Sequence, residues 1–276
     1  LRSRLSNYTS FATWAALAML RVRRPDVIVA SSPALPAATA AALVARLRKV
    51  PFVFEARDLW SDSAKAMGLI TNPRVLGLAR RMERFCYRSA SHVIALTEGI
   101  RDGIVAEGVN PGKVSLITNG IDLDVIGDAE PEPAAAPVPA DAVVAMYVGA
   151  HGTYSSLETV LDAAELLRDR DDIRVVLVGG GDRKAGLVDD ARRRGLANVA
   201  FVDPVPKRDV PRWLARAQVC LLPYQALEFF GGALPNKAFD YLAAGRPLLV
   251  AAPEGELTRL VRDVDAGVCV PPEDPQ

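Results

Sequence analysis

Hydrophobic and polar positions along the chain follow two alternating rhythms. Short, continuously apolar runs predict strands at Pro25–Pro33 ("PDVIVASSP"), Pro51–Asp58 ("PFVFEARD"), Ser91–Thr97 ("SHVIALT") and Lys113–Asp122 ("KVSLITNGID"). Between them, apolar residues recurring every three or four positions predict helices at Pro33–Val50, Pro73–Ala90 and Glu98–Gly108. A second series predicts strands at Ala142–Gly149, Ile173–Gly181, Val199–Val205, Val219–Tyr224 and Pro247–Ala252. Helical patterns separate these too, at Leu157–Asp169, Lys184–Gly195, Arg208–Ala217 and from Pro235 onward. Such β-α-β writing implies an α/β protein with parallel sheets covered on both faces. "DAEPEPAAAPVPA" (Asp128–Ala140) breaks the rhythm and reads as a linker. Two Rossmann-like domains are therefore expected, 1–127 and 128–276, with a ligand site in the cleft between them.

Composition narrows the function classes. Half of the 276 residues are hydrophobic, enough for a sizeable core in each domain. Cys86, Cys220 and Cys269 are far apart, show no C-x-x-C and suit small core positions in a reducing, cytoplasmic compartment. His92 and His151 are the only histidines, so a histidine-based metal site is not expected. No signal peptide is seen, and the apolar run Phe11–Leu20 is too short to span a bilayer. The chain starts at Leu1 in mid-pattern and stops at "VPPEDPQ" without a closing helix, which reads as a fragment. Net charge is zero but polarised: residues 1–127 hold 17 Lys/Arg against 10 Asp/Glu (+7), and the remainder holds 16 against 23 (−7).

In open parallel sheets ligands gather beyond the carboxyl ends of the strands. Here those ends read "GAHGTYSS" (Gly149–Ser156), "GGGD" (Gly179–Asp182), "DPVPKRD" (Asp203–Asp209) and "PYQALEFFGGALPNK" (Pro223–Lys237). None carries G-x-G-x-x-G or G-K-[ST], so neither a dinucleotide cofactor nor a P-loop is indicated. The stretch "GGALPNKAFDYLAAGRP" has two readings. Pro at the first helical position and Gly after the last are ordinary helix punctuation. The same glycine-lined N-terminus is also an anion site, with Lys237 in the first turn and Asp240 about 5 Å further along the same face. Phosphates would take the N–H groups and ribose hydroxyls the carboxylate; the alternative is an exposed i,i+3 ion pair worth a few tenths of a kcal/mol.

"LPNKAFDYLAAGRPLLVA" resembles the C-terminal part of the E-x7-E region of family 4 retaining glycosyltransferases with the GT-B architecture, in the fucosamine-transferase-like branch of surface-polysaccharide biosynthesis. "DVIVASSP", "VPFVFEARDLWSDSAKAMG", "SHVIALTEGIRDGI" and "VSLITNGID" are similar to that branch's N-terminal domain. "YVGAHGTYSSLETVLDAAELL", "VLVGGGD" and "GVCVPPEDP" are similar to its nucleotide-binding domain. The resemblance implies an acceptor-side first domain lacking its N-terminal part, and a second domain binding a nucleotide-sugar donor, with UDP expected and no cofactor or metal. It places the ribose-binding acid at Asp240, one methylene shorter than the family's Glu, and the family's first Glu at Gly232, which has no side chain. Sugar recognition then falls to backbone around Gly232, Ala233 and Leu234, or to Glu228; Asn236 and Lys237 stand at the helix mouth. The family's Arg and Lys after the domain's first strand are absent from Gly149, His151 and Gly152 onward, which leaves His151 and Lys237 to supply positive charge.

In the first domain, Arg57 and Asp58 match a strand-end Arg-Asp facing the cleft: Arg57 for phosphate charge, Asp58 to orient or deprotonate the acceptor. The competing reading is an Arg–Asp pair bracing the loop. Arg74, Arg80, Arg81, Arg84 and Arg88 share an arc of about 120° beside Val75, Leu78, Met82, Phe85 and Cys86. That stripe suits an anionic membrane surface at the inner face of the plasma membrane, a lipid-linked acceptor, or simply water; nucleic acid is not indicated. The expected activity is sugar transfer from a nucleotide donor to a lipid-linked or saccharide acceptor. A non-hydrolysing UDP-sugar 2-epimerase and a non-catalytic nucleotide-binding module remain the alternatives.

Overall fold

The structure, a computed structural model, describes residues 2–126, 138–139 and 141–276. It divides between Thr118 and Asn119 into two compact units. The expected linker, Asp128–Ala140, lies almost wholly outside the described residues. The division falls ahead of the expected boundary after residue 127 because the short helix Leu123–Ile126 packs with the second unit and Ile126 is buried there.

In the first unit α1 (Arg2–Arg21), β1 (Ile28–Ser31), α2 (Leu35–Arg48), β2 (Phe52–Ala56), α3 (Trp60–Ala66), α4 (Pro73–Ser89), β3 (His92–Ala95), α5 (Glu98–Ala106) and β4 (Val114–Leu116) follow in order. The four strands lie side by side as β1-β2-β3-β4, all parallel, in the registers Ile28–Phe52, Val53–His92 and Val93–Val114. Phe54, Val93, Ala95 and Tyr87 are sealed in one core, each large side chain contributing about 1.5–3 kcal/mol by burial. Two helices lie outside the sequence expectation. α1 buries Ala12 and rests Ala16 and Met19 on the core while Phe11 and Trp14 stay exposed, so no clean apolar stripe announced it. α3 has only seven residues and is held by a distant acid: Trp60 N–H donates to Glu83 Oε1 at 2.9 Å and the Ser61 hydroxyl donates to Oε2.

The second unit continues with α6 (Leu123–Ile126), β5 (Val143–Val148), α7 (Leu157–Leu166), β6 (Ile173–Val178), α8 (Lys184–Arg194), β7 (Val199–Val202), α9 (Val210–Leu214), β8 (Val219–Pro223), α10 (Asn236–Ala243), β9 (Leu248–Ala251), α11 (Glu256–Asp263) and β10 (Gly267–Val270). Its parallel sheet has the order β10-β9-β8-β5-β6-β7. Alternate residues of each strand point to opposite faces. Val144, Met146, Cys220, Leu222, Leu248 and Val250 meet Trp213, Tyr241 and Val261 of the helices on one face. Tyr147, Val175, Leu177 and Leu221 meet Leu157, Leu161 and Leu187 on the other. α11 and β10 extend the sheet beyond the sequence expectation. The chain runs outward in one direction through β6 and β7 and in the other through β8, β9 and β10, so the sheet changes direction between β5 and β8. That is where open α/β sheets hold ligands.

Candidate active site

A cavity of about 670 Å³ opens at this switch point, within the range of about 300–1,000 Å³ typical of small-molecule sites. Val148–Ala150 after β5 and Val178–Gly180 after β6 form its floor. Pro204, Val205, Val210 and Pro211 form an apolar wall, with Lys207 between them. Asn236, Lys237, Asp240 and Tyr241 of α10 close the other side, and Gly120–Asp122 and Ile126 complete it.

Three devices hold the floor. Gly179 has φ 143°, and a Cβ there would lie 1.9 Å from the Gly149 carbonyl oxygen, so the two loops touch through backbone that only glycine permits. Lys184 donates to the carbonyls of Gly179 and Val202, both at 2.8 Å, and to Asp203 Oδ1 at 2.7 Å, which ties β6 to β7 at their ends. Tyr241 pins α10 to β5: its hydroxyl accepts from Val148 N–H at 2.8 Å and donates to the Val148 carbonyl at 3.0 Å.

α10 starts one residue later than expected. Pro235 is its N-cap, with extended backbone (ψ 142°), and Asn236 is the first helical residue. The N–H groups of Asn236 and Lys237 therefore belong to the first turn, where no intrahelical acceptor exists, and both residues line the cavity. Lys237 and Asp240 share the cavity without pairing with each other. The Lys237 ammonium donates to Tyr147 Oη at 2.8 Å and sits 4.3 Å from the centre of the Tyr147 ring. Burial pulls its pKa down to about 8. Asp240 instead faces Lys207 Nζ at 3.6 Å.

Other expectations need correction. His151 does not line the cavity: it is fully buried among Tyr147 and Phe201, with neither ring nitrogen hydrogen-bonded. Burial, then the charges of Lys184 and Lys237, lower its pKa to about 4, although the Val178 carbonyl is close enough to favour the protonated ring slightly. A ring neutral at pH 7 supplies no phosphate charge. Gly149 lines the cavity, while Gly152 is half-buried outside it. Gly232, Ala233, Leu234 and Glu228 do not line it either; Glu228 and Gly232 bound a short turn, Glu228–Gly232, ahead of α10. A Cβ on Gly255 would lie 1.9 Å from the Gly231 carbonyl oxygen, so that turn is pressed against the loop before α11. Gly231 thus serves a backbone contact.

In the first unit Arg57 and Asp58 follow β2. Arg57 does not pair with Asp58; its guanidinium lies 3.9 Å from Glu55, and its backbone N–H donates to Ser32 Oγ at 2.9 Å. Ser32 in turn donates to Asp58 Oδ1 at 2.7 Å. Burial raises the Asp58 pKa, against the Ser32 hydrogen bond and the Arg57 charge. Along α4, Arg80 pairs with Asp62 and Glu107, and Arg84 pairs with Glu107. Arg74, Arg81 and Arg88 are exposed beside Val75 and Leu78. Among the described residues no helix is long and apolar enough to cross a membrane. Lys207 lies in "DPVPKRD", one of the strand ends where ligands are expected, but nothing there singles it out; Ser32 falls in the turn after the first strand and Glu83 inside a helix, neither with a functional signal of its own.

Comparison with known proteins adds the family. A model described as "Glycosyl transferase 4-like domain" matches residues 2–120, and one described as "Glycosyl transferases group 1" matches residues 142–276. The chain is 28% identical over 282 residues to WcaI of Escherichia coli (strain K12), whose name assigns it to colanic acid biosynthesis as a glycosyl transferase; the match covers 98% of this chain and 69% of WcaI. It is 30% identical over 230 residues to D-inositol 3-phosphate glycosyltransferase 2 of Catenulispora acidiphila, covering 79% of this chain and 50% of that protein. The fold is shared with Anabaena Alr3699/HepE, crystallised in complex with UDP, at a TM-score of 0.73 and 17% identity over 96% of this chain and 69% of HepE. With both domain models matched in order and two parallel α/β units in place, the chain belongs to the family 4 glycosyltransferases of GT-B architecture.

Proposed function

We propose that the protein is a retaining transferase that moves a sugar from a UDP donor to a lipid-linked or saccharide acceptor in the building of a cell-envelope polysaccharide. One observation carries this reading: the cavity at the switch point joins the first turn of α10 to the Asp240 carboxylate. Diphosphate oxygens take the N–H groups of Asn236 and Lys237, where the helix dipole favours negative charge. Ribose hydroxyls donate to Asp240, and the base lies along the wall of Pro204, Val205 and Pro211. As the sugar–phosphate bond breaks, the leaving diphosphate gains charge, and these donors stabilise it without a metal. Asp58, oriented by Ser32, steers or deprotonates the acceptor hydroxyl, and Arg57 holds acceptor or leaving-group phosphate. Support for a polysaccharide acceptor comes from the name of WcaI. Arg74, Arg81 and Arg88, free of the pairs that occupy Arg80 and Arg84 among the described residues, are proposed to face anionic lipid at the cytoplasmic side of the plasma membrane.

Calorimetry tests the donor reading. UDP binds the wild type, and Asp240→Ala weakens it by about 50-fold or more, the loss of a charge-assisted pair of hydrogen bonds. Asp240→Glu retains binding. Unchanged affinity in Asp240→Ala contradicts the assignment.

A further inference from the structure

The cavity's charge balance leaves a gap. A nucleoside diphosphate carries more than one negative charge, yet "GAHGTYSS" has no Arg or Lys, and His151 is sealed away and neutral. Among the described residues the only cationic side chains lining the cavity are Lys207 and Lys237, opposed by Asp122 and Asp240. Lys237 is already turned onto Tyr147. Lys207 differs. It stands at the start of the 3-10 turn Lys207–Asp209, on the rim between Val205 and Val210, and its side chain is 76% exposed. Its ammonium lies 3.6 Å from Asp240 Oδ1, too long for a good hydrogen bond, and the lysine end of the pair is largely solvated, so the pair is loose. The turn beneath it is fixed, with Asp209 N–H donating to the Pro206 carbonyl at 2.9 Å, so the mobile part is the four-carbon stem.

Resting on the donor reading above, we infer that Lys207 is an exchangeable second phosphate-binding cation: it holds Asp240 while the cavity is empty and turns to the diphosphate when ribose hydroxyls take the carboxylate. The swap replaces one loose ion pair by a charge-assisted hydrogen bond to phosphate, the stronger of the two. Asp240 then gains the ribose hydroxyls in the place of the ammonium, so neither charge is left alone. The same substitution should therefore affect a phosphorylated ligand far more than an unphosphorylated one.

The experiment titrates UDP, UMP and uridine into wild type, Lys207→Ala and Lys207→Arg at low and high salt. Lys207→Ala weakens UDP about tenfold at low salt, flattens its salt dependence, and changes uridine by less than about twofold. Lys207→Arg restores most of the UDP affinity. Equal weakening of UDP and uridine, or no change in either while the wild type binds UDP, overturns the inference and leaves the donor reading standing. Failure of wild type to bind UDP, or unaltered binding in Asp240→Ala, overturns the donor reading and the inference with it.

Discussion

At the strand ends of the first unit, side chains face one another: Ser31 donates to Glu55, and Ser32 donates to Asp58 while accepting from Arg57 N–H. The corresponding ends in the second unit carry mostly backbone and apolar groups: Val148–Ala150, Val178–Gly180, Pro204 and Val205, with Asp240 and two lysines set around them. Both ends are written by the same β-α-β pattern. On the proposed function, a large, flexible anion is met by shape, N–H donors and a dry wall, and a single reacting hydroxyl by one oriented acid. The contrast extends to the two histidines. His92 meets Ser115 Oγ at 2.8 Å, while His151 is buried with neither nitrogen paired.

Breaking the backbone side of this contrast should cost most. Gly179→Ala forces a Cβ against the Gly149 carbonyl, parts the two floor loops, and should destabilise the second unit by about 3 kcal/mol or more while abolishing UDP binding. Thermal unfolding and calorimetry read both effects, and wild-type behaviour in both would contradict the close-approach account.

The histidine comparison gives a pH effect of similar size. His151 has a folded pKa near 4, below its ordinary 6.5, so its contribution to stability is complete above pH 6.5 and is lost as pH falls toward 4. The loss should reach about 3 kcal/mol, seen as a fall in urea midpoint between pH 7 and pH 4.5. A His151→Leu variant should lose that part of the slope; an identical slope in the variant would place the pH dependence elsewhere.

The side-chain end of the first unit is subtler. Ser32→Ala removes a hydrogen bond that lowers the Asp58 pKa, so the acid limb of the transfer rate should move to higher pH, with a several-fold loss below it. Above that limb the rate should approach wild type. A uniform loss at every pH would mark Ser32 as structural only.

Much of this architecture could be read from residues alone, because β-branched runs and 3.6-residue spacing fix strands and helices locally. β5 to β9 and α2, α4, α7 and α8 fell where the pattern put them, and Asp240 and Lys237 came to the same cavity. What was hidden depends on distant partners. Gly231 presses on the backbone of Gly255, a neighbour in space whose loop no local pattern connects to it. His151 looked like a charge in a glycine loop, but Tyr147 and Phe201 enclose it from separate strands. Lys207 lies in "DPVPKRD", a strand end where ligands are expected, but no local pattern says which of its residues reaches the cavity; only folding sets Lys207 opposite Asp240. α1 was missed because its apolar residues run around the helix, whereas Leu257 and Val261 could have announced α11.

α10 is proposed to grip the donor at its first turn and at Asp240. A crystal structure of the whole protein with UDP tests it most directly. The account predicts phosphate oxygens within hydrogen-bond distance of the N–H groups of Asn236 and Lys237, and ribose hydroxyls on the Asp240 carboxylate. Density for the nucleotide outside this cavity, or a ribose turned away from Asp240, would contradict it.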